Sequence, residues 1–187
     1  MGVSYKAKTL GSDSCVLQRC IFTKINVVMK KVLAIAVVAL WAFTGRAQQI
    51  PAMGIREIMK SNTSPDTVYV INFWATWCAP CVQELPVFNQ IHQHYADKPV
   101  KVLLVSLDFK EDYPMRLGTF LQRKRILPPV LWLSDTNPNE FVPRVDESWE
   151  GSIPATLIVQ TGKQYRKFVE GQVTERQIAT VVDMLLE

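Results

Sequence analysis

Two cysteines, Cys78 and Cys81, stand two residues apart, and a carboxylate, Glu84, follows three residues later. Before them runs Val68-Tyr69-Val70-Ile71-Asn72-Phe73-Trp74, apolar and β-rich. After them comes Val82-Gln83-Glu84-Leu85, of helical composition. That order predicts a buried strand, a tight turn carrying both thiols and a helix starting at the turn. A thiol at a helix N-terminus faces unpaired backbone N–H groups and the positive end of the helix dipole. Both favour the thiolate, which is the nucleophilic form. Two intervening residues let the second sulfur reach the first across one helical turn. Pro80 suits the first turn, where its missing N–H costs nothing. Cys78 is the expected attacking thiol and Cys81 the expected resolving thiol.

An inert disulfide and a structural zinc half-site are the competing readings of such a pair. Zinc needs four ligands, and neither a second Cys pair nor a close Cys/His pair follows; His92 and His94 lie a helix-length away. A c-type haem attachment requires His directly after the second cysteine, where this chain has Val82. No metal ligand set is expected, and no cofactor other than a redox-active Cys78–Cys81 pair. Glu84 falls on the Cys81 side of the helix, less than one turn away. Buried there, a carboxylate can take a proton from Cys81 and, when ionised, raises a thiol pKa by like-charge repulsion. The alternative is an exposed acid that the helix dipole favours.

The elements that position these groups follow from periodicity. Val82, Leu85, Phe88 and Ile91 form an apolar stripe on a helix expected to reach about Tyr95, with a kink at Pro86. Val100–Asp108 is a near-continuous apolar run, the pattern of a central parallel strand. Residues 113–125 read as an amphipathic helix and Val130–Leu133 as a short strand. Residues 140–149 read as a helix with Phe141, Val145 and Trp149 inward. Ala155–Gln160 and Tyr165–Glu170 flank a Gly-containing hairpin turn, and a last helix opens at Thr174. Ile50–Lys60 reads as a short helix or loop. The fold class is α/β.

The chain has 187 residues and net charge +4. Residues 1–47 carry +6 and residues 48–187 carry −2, so the domain offers no basic footprint for nucleic acid. Lys30-Lys31, the apolar run Val32–Phe43 and Gly45-Arg46-Ala47 have the three parts of a secretory signal. The expected organisation is a signal peptide over 29–47 and one domain over 48–187. Residues 1–28 are expected to be a mis-called or disordered extension ahead of a start at Met29. The location implied is periplasmic or otherwise extracytoplasmic, with membrane contact only through an uncleaved signal. Cys15 and Cys20 fall in the leader, which leaves Cys78 and Cys81 as the domain's cysteines.

Phe73-Trp74-Ala75-Thr76-Trp77-Cys78-Ala79-Pro80-Cys81 resembles the active-site signature of the thioredoxin superfamily. The continuation Glu84-Leu85-Pro86, and Asn72 where cytoplasmic thioredoxins carry an acid, resemble its TlpA/ResA-type extracytoplasmic branch. The likeness extends, more weakly, from about Ile50 to Glu187. It implies a thioredoxin fold: a central mixed sheet flanked by helices, with an insertion before the cis-proline strand. It implies a cis Ile153–Pro154 bond facing the cysteines, with Ile153 presenting its backbone to an extended substrate. It makes Glu84 a proton-handling, pKa-tuning group. Trp77 becomes part of the substrate rim, Trp74 core support, and Ala79-Pro80 the dipeptide that tunes the potential. Asn72 either marks the transfer of proton handling to Glu84 or is a structural buried amide.

The activity implied is an exported thiol–disulfide oxidoreductase that reduces protein disulfides, with cytochrome c maturation as one such role. Its partners would be a disulfide-containing protein substrate and a membrane or extracytoplasmic thiol donor. Two other classes share the fold. A thiol peroxidase of the AhpC type wants Pro-x-x-x-Thr-x-x-Cys; Thr76 stands two residues before Cys78 with no proline to complete that pattern. A copper-handling module wants wider cysteine spacing and a supporting His.

Overall fold

A computed structural model describes residues 50–187. The signal segment, the stretch before it, Cys15 and Cys20 lie outside the described residues. Strand β2, Val68–Trp74, is the sequence's long β-branched and aromatic run, and every residue of it is buried. A strand covered on both faces must sit in the middle of a sheet, and this one does. It pairs in parallel with β3, Val100–Ser106, in the register Val68↔Val100 to Trp74↔Ser106. On its other side it pairs antiparallel with β5, Ala155–Gln160, Asn72 opposite Thr156. Strand β4, Val130–Leu133, flanks β3, and β6, Tyr165–Glu170, flanks β5. With a two-residue strand β1, Ala52–Met53, the six strands run β1-β4-β3-β2-β5-β6.

The period-2 alternation of β2 divides the core. Val68, Val70 and Trp74 face α2 (Ala79–His94), α3 (Met115–Lys124) and α5 (Glu175–Leu186). Tyr69, Ile71 and Phe73 face α1 (Ile55–Ser61) and α4 (Pro138–Val145). Helix α2 buries Leu85, Phe88 and Ile91 and continues through Pro86 as one element. Helix α5 opens on a capping box in which Thr174 and Gln177 satisfy each other's backbone N–H groups.

Two expectations need correction. Residues 50–60 are more than a short helix or loop: Ala52–Met53 adds a parallel edge strand to β4 before α1 begins. Two residues carry no periodicity, so only the pairing defines them. The helix expected over 140–149 is α4, Pro138–Val145, capped by Asn137, and Trp149 reaches the core from the turn beyond it. The segment before the cis-proline strand contributes β4, which lies inside the sheet between β3 and β1. The Tyr113–Pro114 and Ile153–Pro154 bonds are both cis. Among the described residues no helix is long and apolar enough to cross a membrane.

Helix α1 has no side-chain cap of its own, because its N-cap is Gly54. The carboxylate of Asp135, from the loop after β4, accepts the Ile55 N–H at 2.6 Å instead. Asp135→Ala should lower stability by about 1 kcal/mol, the usual cost of a lost N-terminal cap. An unaltered urea midpoint would show that this long-range cap contributes nothing.

Candidate functional site

The strand-turn-helix order puts Cys78 at the N-cap of α2, with extended backbone, and Ala79 and Pro80 in the helix's first turn. The Cys81 N–H donates to Cys78 Sγ at 3.3 Å, the contact that favours a negative sulfur there. Cys78 and Cys81 form a disulfide, their Cα atoms 5.3 Å apart. Cys78 retains 7% exposure and Cys81 none, so a partner's sulfur approaching from outside meets Cys78 first. Trp77, just before it, is exposed, whereas Trp74 is fully buried.

The loop of Ile153 faces the disulfide. Its carbonyl oxygen lies 3.6 Å from Cys78 Sγ, and its N–H makes no backbone hydrogen bond among the described residues. That loop is clamped from behind. The Trp149 indole N–H donates to the Ser152 carbonyl at 2.8 Å. The Glu170 carboxylate accepts from the Glu150 and Ser152 N–H groups, at 3.0 and 2.7 Å. The Gly171 N–H donates to the Pro154 carbonyl at 2.8 Å, from a backbone with φ of 107° that favours glycine. Gln172 then donates its side-chain amide to the Pro80 carbonyl at 3.0 Å.

Glu84 lies beneath the cysteines and is buried. Its Oε1 accepts from Asn72 Nδ2 at 2.9 Å and its Oε2 from the Val173 N–H at 3.0 Å. Asn72 also donates to the Ala155 carbonyl and to the Thr156 hydroxyl. Burial pushes the Glu84 carboxyl above its usual range; the bonds from Val173 and Asn72 pull the other way and do not cancel it. The structure therefore brings Cys78, Cys81, Glu84, Trp77, Ile153 and Pro154 to one end of the sheet. His92 and His94 sit in the last turn of α2, at about 1.5 Å per residue roughly 20 Å along the helix from the cysteines.

Sequence reasoning missed Asp108. Its buried carboxylate accepts the Thr76 N–H at 3.0 Å and the Thr76 hydroxyl on Oδ1, and the Ser106 hydroxyl at 2.7 Å on Oδ2. Its carbonyl accepts the Trp132 indole N–H at 2.7 Å. Asp108 thus fastens the turn before Cys78 to the end of β3. The signal was present: Ser106 and Asp108 are polar residues closing an apolar parallel strand, and the carboxyl ends of such strands are where sites assemble. Phe109, beside it, stacks on Trp77. The segment 170–173 was also missed, because hydrogen bonds from main chain and an exposed Gln leave no motif.

The model of the AhpC/TSA family matches residues 43–166. The thiol-disulfide oxidoreductase ResA of Oceanobacillus iheyensis is 28% identical over 106 residues, 56% of this chain and 50% of that protein. The chain spans about half the length of the curated relatives it matches. A thioredoxin-related protein from Neisseria meningitidis serogroup B superposes with a TM-score of 0.57 at 24% identity, covering 68% of this chain and 89% of that one. A secreted thiol-disulfide isomerase from Corynebacterium glutamicum does so with a TM-score of 0.54 at 21% identity, covering 68% and 74%. These likenesses establish a thioredoxin fold.

The raised Glu84 pKa has a sign that can be measured. Above the usual value of 4.5 the unfolded chain releases this proton while the folded chain keeps it. The stability it contributes is complete below that value and is lost as pH rises through the folded pKa. Glu84→Gln removes the titration. Its urea midpoint should therefore fall less than the wild type's between pH 4.5 and neutrality. Parallel curves for the two proteins would show that burial does not move this carboxyl.

Proposed function

The chain belongs to the AhpC/TSA family and is of the TlpA/ResA type within the thioredoxin superfamily, and from that premise we propose that it is an exported thiol–disulfide oxidoreductase that reduces protein disulfides. The observation that carries the reading is Cys78 at the N-cap of α2, the more exposed of the two cysteines, with its Sγ facing the Ile153 carbonyl. In the reduced protein the Cys78 thiolate attacks one sulfur of a substrate disulfide. The substrate's other sulfur leaves as thiolate and takes a proton, and a mixed disulfide remains on Cys78. Cys81, losing its proton to Glu84, then attacks Cys78 Sγ and expels the second substrate thiolate. Two electrons have moved to the substrate, and the protein holds the Cys78–Cys81 disulfide. A thiol donor of the same compartment, membrane-bound or free, returns the electrons by the same exchange in reverse.

A base poised for this step needs a pKa closer to neutrality than an ordinary carboxylate has, and burial moves Glu84 in that direction. Ala79 and Pro80 would tune the potential, and Ile153 and Pro154 would receive the substrate backbone. Export is supported by the signal-like leader. Reduction of a disulfide in apocytochrome c to its two thiols is the specific role we assign within this class.

Family membership also raises the peroxidase reading. Against it, the Thr76 hydroxyl donates to Asp108, so its proton is already engaged. The two readings separate in one set of assays. Wild type should catalyse reduction of a protein disulfide by a dithiol, Cys78→Ser should abolish it, and Cys81→Ser should accumulate a mixed disulfide detectable by mass. The reduction potential should lie near or below about −220 mV, towards the thioredoxin end of the known range. Rapid consumption of hydrogen peroxide without disulfide reduction would replace this function with the peroxidase one.

A further inference from the structure

Among the described residues, the two large aromatic side chains left exposed are Trp77, at 54%, and Phe109, at 61%. They stack on each other, ring centroids 5.8 Å apart and planes within 19° of parallel. Phe109 is remote from the cysteines in sequence, and the packing of the core does not use it. A ring that served only stability would be covered; this one has most of its surface in water, next to the residue that precedes Cys78. Exposed apolar surface is informative when it is contiguous and lies beside a site, and these two rings make one surface.

That surface is built rather than loose. Phe109 follows Asp108, whose buried carboxylate holds Thr76, and Thr76 precedes Trp77. The Leu107 N–H donates to the Trp74 carbonyl at 2.8 Å. The Asp108 carbonyl is held by Trp132. The two turns that carry the rings are thus joined by main-chain and side-chain hydrogen bonds at residues 74, 76, 107 and 108. A pair of rings fixed in advance loses little conformational freedom when a ligand covers it.

Resting on the oxidoreductase reading above, we infer that Phe109 is a specificity-determining residue. With Trp77 it forms a platform for extended polypeptides that carry an aromatic or long aliphatic side chain beside their disulfide cysteine. The occupant follows from the covalent step. A substrate sulfur bonded to Cys78 tethers its own chain there, and the next residues, at about 3.3 Å each when extended, must lie over what surrounds Cys78. On one side is Ile153, whose N–H makes no backbone hydrogen bond among the described residues and whose carbonyl faces Cys78 Sγ at 3.6 Å. The ring pair adjoins the cysteine through Trp77. A polar neighbour gains nothing from the rings, whereas an apolar one removes its own surface and theirs from water.

The test compares two disulfide-bonded peptides, identical except that Phe in one and Ser in the other flanks the cysteines. The full-length reduced protein should reduce the Phe peptide with a kcat/KM about tenfold higher, which corresponds to about 1.4 kcal/mol of transition-state contact. Phe109→Ser should bring the ratio close to one by slowing the Phe peptide. Phe109→Leu, which keeps an apolar surface, should restore most of it. Equal rates in the wild type, or an undiminished ratio in Phe109→Ser, would overturn the assignment and leave the oxidoreductase reading standing. Failure of the wild type to reduce either peptide would overturn that reading and this one with it.

Discussion

A carboxylate taken out of water beneath a disulfide needs donors, and Glu84 has one for each oxygen. Asn72 supplies the first from the central strand and the Val173 N–H supplies the second from the segment entering α5. The cost of burying such a group is on the order of several kcal/mol when it is charged. The fold answers it by bringing three elements that are far apart in sequence to one point. The position of α2 over the sheet, the side on which Asn72 projects and the path of the chain after β6 are each held by this contact. The proton on Glu84 is retained more firmly than on an ordinary glutamate because the donors only partly offset burial.

The same end of the sheet is finished by segments that contribute few side chains to the chemistry. Residues 170–173 touch the Ile153 loop, the turn between the cysteines and Glu84 in succession. Asp108 does the equivalent work on the opposite side, tying the turn before Cys78 to the end of β3. The disulfide is therefore held between two clamps. One sets the backbone that a substrate strand would meet and the other sets the exposed rings beside it. The Asp108 bonds and the Val173–Glu84 bond are buried or half-buried, and such bonds are costly to leave unmade.

Much of this was legible from local pattern. Val68–Trp74 could only be an inner strand, because six apolar and aromatic residues interrupted by a single Asn leave no solvent face. The two-residue spacing of Cys78 and Cys81 at a strand-to-helix turn points to thiol chemistry, because the helix N-terminus favours a thiolate. The stripe Leu85, Phe88 and Ile91 fixes which face of α2 is inward. Resemblance of the motif to a known superfamily supplied the cis Ile153–Pro154 bond, since most X–Pro bonds are trans and nothing local in the chain would have predicted otherwise.

Other features have no local signature. Ala52–Met53 is a strand only because β4 is beside it, and β4 is an interior strand only because β1 is beside it. Asp108, Phe109 and the 170–173 segment acquire their positions from hydrogen bonds and ring contacts across tens of residues, which propensity and periodicity do not encode. The residue types at the reacting centre follow from the order of the chain, because a strand, a turn and a helix are local objects. Which carboxylate is buried, which loop faces the sulfur and which rings border it were decided by the closing of the sheet, because those contacts exist only once distant segments have packed.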